Sequence, residues 1–315
     1  MAKHTYILCP GQGAQAVGMG TQLYDTFPVA REVFDSAKAI LDFDLAAICF
    51  GGPEERLNQT DVSQPAIYVA SVASYRAALG AGVIDPATIV ACAGLSLGEY
   101  TALHLAGVFS FEDGLKLVGA RGRYMQQAAV ASPSGMVAVL GADEEAVKKL
   151  CADAAGGEVL VPANLNAPGQ IVISGSNGAC ARALAAAEAA GFKATLLKVA
   201  GAFHSPLMQP AADKMRTELD RVAFASPANP VYSNVTAMPH TTPDAIKRLL
   251  VEQIVSAVQW ERTMKTILAD AEGRYVELSP GRTLAGLAKR INRRLPIDSV
   301  ATAESIAQLK GSQQN

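Results

Sequence analysis

Gly94-Leu95-Ser96-Leu97-Gly98 follows the apolar run Ile89 to Ala93 and precedes the helix-favouring stretch Glu99-Tyr100-Thr101-Ala102-Leu103. A serine between paired glycines at a strand-to-helix junction is the pattern of a nucleophile elbow. The turn is so tight that it forces an unfavourable backbone conformation on the serine and lifts the hydroxyl clear of the sheet. A strand feeding a helix in this way predicts an α/β fold, a large α/β-hydrolase-like domain with a mostly parallel sheet, and makes Ser96 the candidate nucleophile. A Gly/Ser loop joining strand to helix produces the same five letters by chance, and the elbow is favoured here by what flanks them.

The run Thr5 to Cys9 is a second strand candidate, stopped by Pro10-Gly11-Gln12-Gly13, a tight loop with exposed backbone amides. Helical periodicity dominates from there to about Gly80, and Phe111 to Ala131 reads as a long helix carrying Arg121, Arg123 and Tyr124. From Met136 the order changes to strand 136–140, helix 143–155, strand 159–164, strand 170–174, helix 177–190 and strand 194–199. This β-α-β-β-α-β order predicts a small ferredoxin-like domain over residues 132–200, inserted into a large domain built from 1–131 and 201–315. The large domain then resumes with helix 206–222, strand 230–235, helices 244–256 and 260–271, and strand 275–278, while the tail Gly311 to Asn315 reads as frayed.

A net charge of −2 over 315 residues argues against nucleic-acid binding by bulk electrostatics. Arg290, Arg293 and Arg294 read as a solvated helix end, or else as a local basic surface for an acidic protein. Five scattered cysteines, none in C-x-x-C spacing, indicate neither a disulfide framework nor a zinc site. With no signal-peptide pattern and no apolar stretch approaching about 18 residues, the expectation is a protein that avoids membranes and is cytoplasmic or resides in a stroma-like compartment.

A serine hydroxyl needs a base near neutral pH, and the chain offers four histidines. His4 precedes the first strand, so it lies at the edge opposite the elbow, roughly 17 Å away for a five-residue strand. His104 lies down the helix that starts at the elbow, roughly 12 Å along its axis, and reads as a packed helix residue. His240 falls in Met238-Pro239-His240-Thr241, where nothing nearby would orient it, and reads as a surface turn. His204, in a short loop between the small domain and a helix, is left as the candidate base. No acid in a suitable loop between 96 and 204 completes a hydrolytic triad, so a backbone or amide carbonyl could orient the ring instead. A serine thioesterase or other hydrolase on the same elbow is the alternative reading, and it lacks both the carboxylate partner and an HGGG-type loop. A non-catalytic binding module on the same fold is a further alternative, disfavoured by the presence of both Ser96 and His204.

Five strings taken together resemble the malonyl-CoA:acyl carrier protein transacylase family, over nearly the whole chain. They are Pro10-Gly11-Gln12-Gly13-Ala14-Gln15, Gly94-Leu95-Ser96-Leu97-Gly98-Glu99-Tyr100, Arg121-Gly122-Arg123-Tyr124-Met125-Gln126, Ala202-Phe203-His204-Ser205 and Val258-Gln259-Trp260. The resemblance implies a ping-pong acyltransferase of the free-standing, fatty-acid-synthesis type, moving malonyl from malonyl-CoA to the phosphopantetheine thiol of acyl carrier protein. It implies Ser96 as the acylated nucleophile, His204 as base and then acid, and the amides of Gln12 and Leu97 as the oxyanion hole. It further implies that Gln259 orients His204 through a carbonyl, that Arg121 binds the malonyl carboxylate, and that Phe203 crowds substituents on the malonyl α-carbon. No metal and no cofactor beyond the CoA thioester is expected. Many members carry histidine where this chain has Leu95 and serine where it has Ala14. Asn164, Asn166 and Gln170 could line the cleft between the domains, although such amides serve more often as turn residues.

Overall fold

A computed structural model describes residues 4–270 and 272–313. Its first strand, β1 (Thr5–Cys9), is buried on both faces: Ile7 and Cys9 enter one apolar cluster, Tyr6 and Leu8 another. A strand sandwiched in this way is apolar at every position instead of alternating, which explains the continuous apolar runs at 5–9 and 89–93. β1 pairs in parallel with β2 (Ile89–Gly94). The small sheet contributes β3 (Ser134–Leu140), β4 (Leu160–Ala167), β5 (Gln170–Ser176) and β6 (Lys193–Leu196). The chain then adds β7 (Val231–Tyr232), β8 (Arg274–Glu277) and β9 (Ile297–Ser299) to the large sheet, whose order is β7-β2-β1-β8-β9 with every ladder parallel.

The sheet of residues 134–196 is antiparallel, in the order β4-β5-β3-β6. Its strands alternate as a half-buried sheet should. Val137, Val139, Ile171 and Ile173 pack on the helices Glu144–Ala155 and Asn177–Ala189, while Met136 and Val172 on the opposite face look into the cleft over the large sheet. The small sheet is tied to the segment ahead of the helix Trp260–Asp270 where Val258 bridges Asn164, through Leu165 N–H to Val258 O at 2.9 Å and Val258 N–H to Ala163 O at 2.9 Å.

Several boundaries differ from the sequence expectation. The strand expected over 230–235 is only Val231–Tyr232, because Ser233 and Asn234 leave the ladder to hydrogen-bond the elbow and a local turn. The strand expected to reach Val199 ends at Leu196, freeing Leu197 to Val199 to line the cleft. Gly311 to Gln313, expected to fray, close the helix Ala303–Gln313; Gln314, Asn315 and Ala271, the last residue expected in the helix from 260, lie outside the described residues. Among the described residues no helix is long and apolar enough to cross a membrane.

Candidate active site

Ser96 sits at the carboxyl end of β2 with φ of 54°, in the left-handed region that an L-residue adopts only when its surroundings enforce it. The enforcement comes from the flanking glycines. A Cβ on Gly94 would run into the backbone of Gly98, and one on Gly98 into the backbone of Cys9 and Pro10, so the turn closes only with hydrogen at both positions. The helix Gly98–Leu105 starts immediately beyond. Asn234, just past β7, braces the turn from the neighbouring strand, accepting from Ser96 N–H at 2.5 Å and donating from Nδ2 to Gly94 O at 2.7 Å.

His204 also has a positive φ, 59°, and its Nε2 lies 2.8 Å from Ser96 Oγ. Its Nδ1 is 2.8 Å from the main-chain oxygen of Gln253. A carbonyl only accepts, so Nδ1 carries the proton and Nε2 is left free to accept from the serine hydroxyl. Burial, with the nearby Arg121 guanidinium second, pushes the imidazole down to about 4, against the opposing pull of the Gln253 carbonyl. The ring is therefore neutral at pH 7, as a proton acceptor must be.

Arg121, 1% exposed, comes from the long helix Phe111–Ala131. Nη2 donates to Ser96 Oγ at 3.0 Å and to Gln253 Oε1 at 2.8 Å, Nη1 donates to Gln64 Oε1 at 2.8 Å, and the guanidinium carbon lies 5.6 Å from the centroid of the Tyr100 ring. Its Nε has no hydrogen-bond partner among the described residues. A buried guanidinium whose hydrogen-bond partners are neutral, with the Glu99 carboxylate set behind the Gln253 amide, is suited to an anion arriving at the serine.

These side chains open into a cavity of about 340 Å³ lined by Gln12, Leu95, Ser96, Arg121, Phe203 and His204 among others. Asn164, Asn166 and Gln170 line it as well, and Asn166 Oδ1 is buried without a partner among the described residues. The loop after β1 brings Gln12 beside the elbow, and Leu97 follows the serine. Among the described residues neither main-chain N–H has an acceptor. Leu97 itself packs in the core, whereas Ser96, His204, Arg121, Phe203 and Gln12 come together around this cavity.

Gln259 does not. Its side chain accepts from Arg262 Nη1 at 2.9 Å and its main-chain N–H donates to Asn234 O, so the carbonyl that fixes His204 belongs to Gln253, six residues earlier at the end of the helix Pro243–Gln253. His240 is another correction. Far from being a surface turn, it is buried with Nε2 2.7 Å from Glu99 Oε1, a partner 141 positions away that local sequence could not reveal. Gln64, Gln253 and Asn234 were invisible for the same reason, since amides and main-chain carbonyls carry no motif. His4 is exposed and His104 Nδ1 meets Phe109 O at 3.1 Å, both away from the cavity.

An elbow serine hydrogen-bonded to a neutral imidazole at the carboxyl edge of a parallel sheet is the layout of enzymes that form acyl-serine esters. Residues 5–315 match the family model described as acyl transferase domain, and the chain belongs to that family. It is 44% identical over 283 residues to a malonyl CoA-acyl carrier protein transacylase of Escherichia coli, covering 90% of this chain and 91% of that one. The structure of the malonyl CoA-acyl carrier protein transacylase from Coxiella burnetii superposes with a TM-score of 0.95 at 39% identity, covering 99% of this chain and 98% of that one. A malonyl-transacylase in complex with its type II PKS acyl-carrier protein gives a TM-score of 0.93 at 38% identity, with 98% and 99% covered.

Proposed function

We propose that the chain moves a malonyl group from malonyl-CoA to the phosphopantetheine thiol of an acyl carrier protein by way of a malonyl ester on Ser96. The observation that carries this reading is the pairing of two features on one hydroxyl: Ser96 Oγ meets the imidazole of His204 at 2.8 Å and the guanidinium of Arg121 at 3.0 Å. The first activates the oxygen, and the second marks where an acyl group with its own carboxylate would bind.

In the first half-reaction the Ser96 proton passes to His204 Nε2 as Oγ bonds to the thioester carbon. The negative oxygen that develops is held by the free N–H groups of Gln12 and Leu97. The carbon–sulfur bond then breaks, and the thiolate leaves with the proton from His204. In the second half the carrier thiol gives its proton to Nε2, its sulfur bonds to the ester carbon, and Ser96 Oγ recovers the proton as the carbon–oxygen bond breaks. These steps draw on no cofactor besides the thioester substrate. The small sheet, read as a ferredoxin-like inset over residues 132–200 within a large domain of 1–131 and 201–315, roofs the cavity with Met136 and Val172 and limits water at the ester. The relatives' chemistry and the absence of a membrane-spanning helix among the described residues support a cytoplasmic setting.

Incubation with malonyl-CoA and a holo acyl carrier protein tests the reading. Malonyl-carrier should form far faster than free malonate, and the hydrolase alternative predicts the reverse. Since His204 acts in its neutral form, protonation removes activity on the acid side only. Because kcat/KM reports the free enzyme, it should stay flat from about pH 8 to about pH 5 and fall with a midpoint near 4. A midpoint between about 6 and 7 in an acylation-rate profile would contradict the buried geometry. Phe203, buried and lining the cavity, supports exclusion of α-substituted acyl groups. Phe203→Ala should raise the methylmalonyl-to-malonyl rate ratio by about tenfold in a competition assay.

A further inference from the structure

We infer that Glu99 is a positioning residue for the acyl-transfer step, acting through the Gln253 side chain on Ser96 and Arg121 and, by fixing that residue, through its main-chain carbonyl on His204. The inference rests on the reading of Ser96 as the acyl carrier. Glu99 lies one turn beyond the serine in the elbow helix, is fully buried, and does not touch His204, so it is not the missing acid of a triad. A carboxylate away from water must be satisfied by donors. Glu99 has three: Oε2 accepts from Asn234 N–H at 3.0 Å and from Gln253 Nε2 at 2.7 Å, and Oε1 faces His240 Nε2 at 2.7 Å. Among the described residues the other ring nitrogen of His240 has no partner, so the bond to Glu99 is the one its ring makes there.

What Glu99 contributes is the sense of the Gln253 amide. Nε2 donates both to Glu99 and to Ser96 O at 2.9 Å, which leaves Oε1 to accept from Arg121 Nη2 at 2.8 Å. Flipping the amide would set NH2 against a guanidinium and a carbonyl oxygen against both a carboxylate and the Ser96 carbonyl, so an acceptor-only group at position 99 permits one orientation. The main-chain oxygen of the same Gln253 receives Nδ1–H of His204. Glu99 also anchors the Asn234 main chain, whose side chain clasps the elbow at Ser96 N–H and Gly94 O. One buried carboxylate therefore stands two hydrogen bonds from the serine backbone, the imidazole and the guanidinium.

The test is the first-order rate of Ser96 malonylation, followed by mass spectrometry of the peptide bearing Ser96, in wild type, Glu99→Gln, Gln253→Ala and the double variant. Glutamine fills the same space but removes the negative charge that Asn234 N–H and Gln253 Nε2 point at, and its NH2 meets either those two donors or His240 Nε2, which accepts it only after changing tautomer. Each single substitution should slow labelling about tenfold at unchanged final extent, more with malonyl-CoA than with acetyl-CoA, and the double variant should be no slower than the worse single one. A fall in final extent at unchanged rate marks mere loss of folded protein and overturns the inference, as do single effects that multiply to about a hundredfold in the double variant. If Gln253→Ala does not fold, the labelling rate of Glu99→Gln and its ratio between malonyl-CoA and acetyl-CoA are read against wild type instead, and an unchanged rate and ratio overturn the inference. A labelled wild type with full-rate variants overturns this inference only, whereas a wild type that takes no label on Ser96 overturns the nucleophile assignment with it.

Discussion

Replacing His204 with alanine should slow acylation of Ser96 by about a thousandfold or more, the range that loss of a positioned general base produces. Both half-reactions should slow together, since the same Nε2 receives the serine proton in one and the carrier thiol proton in the other. The substitution removes a buried ring whose two nitrogens each have one partner, Ser96 Oγ and Gln253 O. With that ring gone, Oγ keeps only the Arg121 contact, which donates to it and cannot take its proton. Rapid-quench measurement of the acyl-enzyme checks this, and a loss of less than about tenfold would mean that another base serves the serine.

Arg121→Ala should cost about a hundredfold or more with malonyl-CoA and leave acetyl-CoA nearly unaffected, because a charge-assisted bidentate contact to a carboxylate in a dry pocket has about that weight. In the free protein the guanidinium is shared among Ser96 Oγ, Gln253 Oε1 and Gln64 Oε1. Exchange of these neutral partners for a carboxylate is the step on which the expected malonyl selectivity rests. The guanidinium also lowers the affinity of His204 for a proton, after burial itself. Its removal should therefore move the acid limb of the acylation profile to higher pH. Equal losses with the two thioesters, or an unmoved acid limb, would go against the placement of Arg121. Arg121→Lys should not restore selectivity, since a point charge lacks the planar fork.

Ser96 was readable in the sequence because an elbow is a local object: glycine, strand and helix signals lie within about a dozen residues. His204 was reachable by elimination, because helix and strand geometry sets His4 and His104 away from the elbow, while His240 was set aside only as a turn residue with nothing nearby to orient it. The β-α-β-β-α-β order of residues 134–196 was likewise carried by local periodicity. What escaped is what long-range packing decides. The carbonyl behind His204 comes from Gln253 and not from Gln259, and a main-chain oxygen has no signature in composition or spacing. His240 looked like turn material because its partner, Glu99, is distant in the chain, and Gln64 meets Arg121 only because two long helices pack together. Glu99 itself offered a hint, an acid in the first turn of an otherwise apolar and fully buried helix start.

The most direct measurement is peptide mass mapping of the protein after brief exposure to malonyl-CoA alone, followed by addition of holo acyl carrier protein. One malonyl group should appear on Ser96, persist in water, and leave for the carrier thiol on the second addition. A malonyl group found on any other residue, or one released as free malonate at a rate indifferent to the carrier, would contradict a transferase built on Ser96 and His204.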